Sequence, residues 1–95
     1  MTDIKEIIQS PIFAKQKKKL HENRLKDLNN AVKMIFENPD IGDMKGGDLK
    51  GIRIYKFKFI NNQILLAYEV DFNTLYLYAF GSHEHFYRDL KKYIH

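Results

Sequence analysis

Side chains suited to proton transfer and phosphate binding lie in the second half of the chain. Histidine titrates at a pKa of about 6.5, so His83 can donate or accept a proton near neutral pH. Tyr87 follows His83 at a helical spacing of four residues, and its ring can stack on an unpaired base. Lys56 and Lys58 have the spacing of residues that share one side of a strand, so both ammonium groups can hold one phosphate or two adjacent ones. Glu69 is a second candidate for proton transfer.

These residues also have purely structural interpretations. A histidine at the start of a helix is commonly only solvated, and exposed lysines on strands keep sheet edges soluble. Tyr87 can be a core aromatic residue, and Glu69 can neutralise a lysine. The basic run at residues 15–19, which contains Lys17 and Lys18, is typical of a solvated helix face, although such lysines also contact RNA phosphates without sequence preference.

Other kinds of site and compartment are disfavoured. The absence of cysteine excludes thiol nucleophiles, disulfides and iron-sulfur sites, and it fits a reducing compartment. Residues 83–85 do not have the spacing of a histidine–glutamate metal motif, so we expect no metal and no cofactor. Because no apolar run approaches the roughly 20 residues of a membrane helix and the N-terminus does not resemble a signal peptide, we expect a cytoplasmic protein without membrane association.

The size of the chain predicts one compact domain over residues 1–95. A length of 95 residues with 44% hydrophobic and 14% aromatic residues is enough for one core but too short for two. The net charge of +4, from 16 basic and 12 acidic residues, favours an anionic partner such as nucleic acid or an acidic protein.

Two helices are predicted in the first half of the chain. Ser10 can accept hydrogen bonds from free amides at a helix start, and Pro11 suits the first helical position, so a helix should run from here to residues 21–23. Apolar residues three or four apart over residues 25–36 predict a second helix that stops before Pro39. The short connection between them makes an antiparallel helical hairpin.

The remaining segments predict an α+β fold in which the helices cover one face of a small antiparallel sheet and the other face stays free. We predict a short strand or extended arm at residues 3–9 and a loop at residues 40–51. Three strands in a meander follow at residues 52–60, 63–70 and 74–80, and a last helix at residues 83–93.

Alternation along the strands predicts which side chains share a face. Tyr55, Phe57, Phe59, Leu66, Tyr68 and Val70 are expected to face the helices, and Lys56, Lys58, Leu65, Ala67 and Glu69 to face away. Tyr76, Tyr78 and Phe80 are expected to be core residues directed toward the helices, and Phe86, Leu90 and Ile94 to be the buried side of the last helix.

Three motifs resemble the RelE/ParE superfamily of toxins from bacterial type II toxin–antitoxin modules. Residues 48–58, DLKGIRIYKFK, resemble the family's strand with an L-x-G and a following Y-K-x-K, and residues 65–70 resemble the next strand. Gly81, Ser82 and His83, followed by Phe86 and Tyr87, are similar to the ending of the YafQ-like branch. In this order, the motifs span most of the chain.

The resemblance implies a fold with an N-terminal helical hairpin on a small sheet and a short C-terminal helix. It also implies a metal-independent endoribonuclease that cleaves mRNA in the ribosomal A site, inhibits translation and is held inactive by an antitoxin in a hetero-oligomer. Lys56 and Lys58 then correspond to phosphate-binding lysines, His83 to the catalytic histidine and Tyr87 to the C-terminal aromatic residue. Other basic residues expected to bind RNA are Arg88, Lys91, Lys17 and Lys18.

One position departs from the family pattern. Where the family often carries an arginine on the third strand, this chain has Leu65, so Arg53 or Arg88 is expected to supply the missing contact to phosphate. Two alternatives therefore accompany the nuclease hypothesis: a ParE-like inhibitor that binds DNA gyrase without nuclease chemistry, and a catalytically inactive module that binds only an antitoxin or nucleic acid.

Overall fold

The computed structural model describes residues 4–83, 86–88 and 90, which form a five-stranded sheet with helices on both sides. The elements in chain order are β1 (Glu6–Gln9), α1 (Pro11–Lys18), α2 (Glu22–Glu37), β2 (Asp43–Met44), a 3₁₀ turn (Gly47–Leu49), β3 (Arg53–Phe59), β4 (Asn62–Asp71) and β5 (Thr74–Ser82). The described residues after β5 are helical. None of the described helices is long and apolar enough to span a bilayer.

The sheet confirms the predicted α+β fold, with a strand in the N-terminal segment, and adds one strand that was not predicted, β2. Its order is β1-β5-β4-β3-β2, and β3, β4 and β5 form the predicted antiparallel meander. The N-terminal arm is a strand that pairs parallel with β5. The segment predicted as a loop at residues 40–51 contributes β2, which pairs antiparallel with the first residues of β3. Two residues of β2 are too few to give a strand pattern in the sequence.

Helix α1 begins at the predicted residue and is tied to β5. The Phe13 amide donates to Ser10 Oγ at 3.0 Å, which caps the helix, and Pro11 occupies the first turn. Gln16 pairs with the backbone of Phe80 like a strand residue: its Nε2 donates to the Phe80 carbonyl at 2.7 Å, and its Oε1 accepts from the Phe80 amide at 3.0 Å. The helix ends at Lys18, earlier than predicted, because the Lys19 and Leu20 amides bond three residues back in a tight final turn.

One face of the sheet, here called the hairpin face, packs against α1 and α2. Its buried side chains include the predicted Phe59, Leu66 and Tyr68 of the sheet, and they meet Leu28 and Ile35 of α2. Tyr55, Phe57 and Val70 are partly buried at its margin, as the alternation predicts. This cluster is the main core of the protein.

The opposite face, here called the C-terminal face, is not free as predicted. Leu65 and Ala67 are both 0% exposed there, because Phe86 and Leu90 of the C-terminal helix cover them. The prediction that Phe86 and Leu90 are buried is confirmed, but their helix covers the side that the hairpin leaves open. Ile94 lies outside the described residues.

A β-bulge in β5 reverses part of the predicted alternation. The register shifts so that Ala67 pairs with Ala79 and Tyr68 with Leu77, which leaves Tyr78 as the extra residue. Phe80 consequently packs on the hairpin face as predicted. Tyr78 instead packs against the buried residues of the C-terminal face. Tyr76 is paired with Glu69 and also lies on the C-terminal face, so the prediction that Tyr76 and Tyr78 face the hairpin is wrong.

Candidate functional site

Lys56 and Lys58 lie on the C-terminal face, in the part that the last helix leaves uncovered. Lys56 pairs with Leu65 and Lys58 with Gln63, so all four side chains point to the same side of the sheet. Both lysines are exposed, whereas Leu65 is completely buried. The structure therefore supports the prediction that the two ammonium groups point the same way.

His83 follows directly after β5, at the end of the sheet where Ser82 pairs with Ile64. Gln63, the neighbour of Ile64, is the partner of Lys58, so His83 and Lys58 lie at the same end of the sheet. The imidazole is exposed.

Tyr87 contacts His83, as the four-residue spacing predicts. The two rings are 5.9 Å apart between centroids and meet edge to face at 81°. The Phe86 ring is 5.6 Å from the Tyr87 ring, and Phe86 is itself buried in the core beneath the helix. Tyr87 is thus half-buried: its ring packs against the buried Phe86 on one side and contacts His83 on the other.

An open cleft lies beside Lys56 and Lys58 at the outer edge of β3. It has a volume of about 230 Å³ and is lined by Lys56, Phe57, Lys58 and Gln63. Because β2 pairs only with the first part of β3, no strand of the described part of the chain covers the edge beside these residues. The cleft gives a polyanion access to both ammonium groups.

Arg53 does not join this cluster. It pairs with Tyr68, which belongs to the hairpin face, so its side chain points to the opposite side from Lys56. The guanidinium donates to the Gly42 carbonyl at 2.7 Å and lies 3.3 Å from the Asp40 carboxylate. Arg53 thus holds the segment before β2 in place through Asp40 and Gly42. Because it points away from Lys56, the structure does not support the hypothesis that it replaces the family's arginine.

Glu69 is on the C-terminal face but at its far end. It accepts a hydrogen bond from the Tyr78 hydroxyl at 2.7 Å, and it lies four residues along β4 from Leu65, the partner of Lys56. Burial, together with the neighbouring carboxylate, raises the pKa of Tyr78. Glu69 therefore belongs to a structural pair and is separated from both lysines.

The remaining predicted basic residues are dispersed. Lys17 and Lys18 lie on α1 beside a cavity at the β1 edge of the sheet, three strands away from β3. Arg88 follows Tyr87 and is exposed. Lys91 lies outside the described residues. Lys56, Lys58 and Tyr87 thus lie on the C-terminal face, His83 contacts Tyr87, and Lys17 and Lys18 lie elsewhere.

Sequence analysis missed one cation at this face. The Nζ of Lys45 lies 5.5 Å from the centroid of the Tyr87 ring. Lys45 belongs to the glycine-rich segment that was predicted to be a loop, and only the pairing of β2 with β3 reveals its position. In the described part of the chain, no three histidine, aspartate or glutamate side chains are grouped as metal ligands.

Comparisons with known proteins agree with this architecture. A family model described as the ParE-like toxin of type II bacterial toxin–antitoxin systems matches residues 7–91. No curated protein matches the sequence.

Solved structures show the same fold at low sequence identity. A mutant of the E. coli toxin RelE in the free state is 15% identical, with a TM-score of 0.72, covering 98% of this chain and 94% of that one. The intact E. coli RelBE toxin–antitoxin complex contains a chain that is 20% identical, with a TM-score of 0.65 and coverages of 82% and 95%. The Helicobacter pylori protein HP0894 is also 20% identical, with a TM-score of 0.57 and coverages of 82% and 93%.

The family match extends from β1 through the C-terminal helix, so it includes the strands and the helix that position Lys56, Lys58, His83 and Tyr87. The chain therefore belongs to the ParE-like toxins of bacterial type II toxin–antitoxin systems.

Proposed function

We propose that this toxin is a metal-independent endoribonuclease that cleaves mRNA and thereby inhibits translation. The observation that carries the proposal is the placement of His83, Tyr87, Lys56 and Lys58 on one accessible face of the sheet. For attack by a ribose 2′-hydroxyl, an imidazole can transfer a proton, two ammonium groups can stabilise the phosphorane charge, and an aromatic ring can stack on a base.

The proposed reaction uses the substrate's own nucleophile. The 2′-oxygen loses its proton and attacks the adjacent phosphorus, and the bond to the 5′-oxygen breaks, leaving a 2′,3′-cyclic phosphate and a 5′-hydroxyl. His83 transfers one of the two protons, either from the 2′-hydroxyl or to the leaving oxygen, and water exchanges the other. Lys56 and Lys58 stabilise the extra negative charge on the phosphorane. Tyr87 stacks on a neighbouring base and fixes the strand beside the imidazole.

The substrate and partners follow from the same proposal. We expect mRNA in the ribosomal A site as the substrate, in the cytoplasm, and a cognate antitoxin as the inhibitor. The likeness to a chain of the E. coli RelBE toxin–antitoxin complex supports the antitoxin partner. A hetero-oligomer with that antitoxin would neutralise the charge of the exposed lysines.

Induction of the toxin without its antitoxin tests the proposal. Growth arrest and new 5′ ends within messages, mapped by primer extension, are expected for the wild type and absent for His83→Ala. His21→Ala is a matched control, because His21 is an exposed histidine at the start of α2 whose side chain makes no capping hydrogen bond. Message cleavage that survives in His83→Ala would disprove the assigned site.

Inhibition of DNA gyrase is the second candidate, and the ParE-like description of the matching family favours it. The burial of Leu65 at the position where relatives often carry an arginine also fits a protein without nuclease chemistry. Purified toxin would then inhibit supercoiling by gyrase, and induction would cause DNA damage while messages stay intact. If neither messages nor gyrase are affected, the chain is an inactive binding module.

A further inference from the structure

Lys45 projects onto the same face as the candidate site. Its amide donates to the Ile52 carbonyl at 2.9 Å, which extends the pairing of β2 with β3 by one row. Ile52 is buried in the cluster beneath the C-terminal helix. Since paired residues of neighbouring strands point to the same side of a sheet, the Lys45 side chain lies on the C-terminal face.

Tyr87 connects Lys45 to His83 across this face. The ring lies 5.9 Å from the imidazole ring of His83, which follows β5, and 5.5 Å from the ammonium group of Lys45, which follows β2. An ammonium group at this distance is attracted by the aromatic face, so the lysine stem is held in place. Among the described residues, no carboxylate lies within ion-pair distance of Lys45.

Lys45 is too far from Lys56 to hold the same phosphate. Lys45 is opposite Ile52, and Lys56 is four residues farther along β3, so about 13 Å of strand separates the two rows. The positive charge therefore extends along one side of the sheet, from the later part of β3 to the end of β2. A single RNA strand crossing the face would place different phosphates at the two positions.

We propose that Lys45 is a further phosphate-binding residue of this toxin, held by Tyr87, and that the RNA strand runs from His83 across the Tyr87 ring toward β2. This inference rests on the proposed nuclease function. It adds a contact outside the cluster of Lys56, Lys58 and His83, and it assigns Tyr87 a second role as the support of a cation.

Binding of an uncleavable strand tests the inference. The probe is a fluorescent, fully 2′-O-methylated RNA oligonucleotide of about 12 nucleotides, measured by anisotropy between about 50 and 200 mM salt. Lys45→Met should lower the affinity several-fold and reduce the slope of log K against log salt by about 0.7, as expected for one lost phosphate contact. Lys45→Arg should retain both values, because it keeps the charge and the attraction to the ring.

A double-mutant cycle tests the role of the ring. In a Tyr87→Leu background, Lys45→Met should have an effect about two- to fivefold smaller than in the wild type, because the lysine is no longer held. Lys33→Met is the control for charge alone, since Lys33 is an exposed lysine on α2, and it should leave the salt slope unchanged. Thermal unfolding of each variant confirms that it is folded.

The two possible failures are distinct. Wild-type affinity and slope in Lys45→Met, with both reduced in Lys56→Met, would overturn the role of Lys45 and leave the nuclease proposal intact. If the wild type does not bind the free oligonucleotide, message cleavage after induction is compared for the same variants. Cleavage that is lost in Lys56→Met but unchanged in Lys45→Met would again overturn the inference, and cleavage unchanged in Lys56→Met would overturn both proposals.

Discussion

The two faces of the sheet are covered to different extents, although both contain completely buried residues. Leu65 and Leu66 are neighbours on β4 and are each 0% exposed, yet Leu66 is covered by the helical hairpin and Leu65 by the C-terminal helix. The hairpin spreads two helices over its face, while the C-terminal helix leaves Lys56 and Lys58 exposed beside it. One face thus supplies most of the core, and the other combines a smaller core with an accessible charged surface.

Removing both lysines of the C-terminal face should have the largest effect on activity. Lys56→Met with Lys58→Met is expected to lower message cleavage by at least about 100-fold, because in the proposed reaction each ammonium group stabilises charge that develops in the transition state. The free energy of unfolding should change by less than about 0.5 kcal/mol, since both side chains are exposed. Cleavage rates and denaturant titrations measure the two quantities.

The matched control is the pair of exposed lysines on α2. Lys26→Met with Lys33→Met removes the same charge from the hairpin side and should leave cleavage near the wild-type rate. An equal loss of cleavage in both double variants would show that net charge, rather than the C-terminal face, supports activity.

Truncation of the two neighbouring leucines separates the two cores. Leu66→Ala should lower the free energy of unfolding by about 2–5 kcal/mol, the usual cost of a cavity in a packed core. Leu65→Ala also creates a cavity, but it should chiefly loosen the C-terminal helix, with faster hydrogen exchange at Phe86 and Tyr87 than at residues of α2. Uniformly faster exchange throughout Leu65→Ala would contradict the division into two cores.

A glycine next to the hairpin face should be sensitive to one added methyl group. A Cβ at Gly42 would lie 2.8 Å from both the ring and the hydroxyl of Tyr68, which also donates to the Pro39 carbonyl at 2.6 Å. Gly42→Ala should therefore cost about 1–3 kcal/mol in the free energy of unfolding. Gly46→Ala is the control, because a Cβ there meets no atom within 4 Å.

The smallest effect concerns tyrosine ionisation in alkali. Burial and the neighbouring Glu69 raise the pKa of Tyr78. Its hydroxyl therefore keeps its proton in the folded protein above pH 10, where a tyrosine of the unfolded chain loses it. The folded state then binds more protons, so the free energy of unfolding falls as pH rises above about 10. Tyr78→Phe should make this decline shallower in denaturant titrations, and Glu69→Gln should do so to a lesser degree. An unchanged slope in Tyr78→Phe would exclude this linkage.

Local signals in the sequence predicted the elements well. Ser10 and Pro11 determine the helix start by capping chemistry that involves adjacent residues, and apolar periodicity defines α2 and the meander. Alternation along β3 also placed Lys56 and Lys58 together. The same alternation already separates Arg53 from Lys56, a signal that the sequence analysis left unused.

Features that depend on distant contacts could not be predicted in this way. Apolar spacing showed that Phe86 and Leu90 are buried, but periodicity within a helix does not specify which face of a sheet it covers. The bulge at Tyr78 is a matter of pairing between strands, so it reversed the expected directions of Tyr76 and Tyr78. Lys45 approaches Tyr87 from a segment far earlier in the sequence, and no local pattern marks that contact.

Both hydrogen bonds between Gln16 of α1 and the Phe80 backbone depend on the side-chain amide of Gln16, which deamidation would convert to a carboxylate. Hydrolysis of the carboxamide would leave a glutamate that still accepts from the Phe80 amide but has no hydrogen to offer the Phe80 carbonyl. The partly negative carbonyl oxygen would instead face a carboxylate, three residues before His83. Deamidation at this one position would therefore weaken the attachment of α1 to β5, although it leaves every proposed active-site residue chemically unchanged.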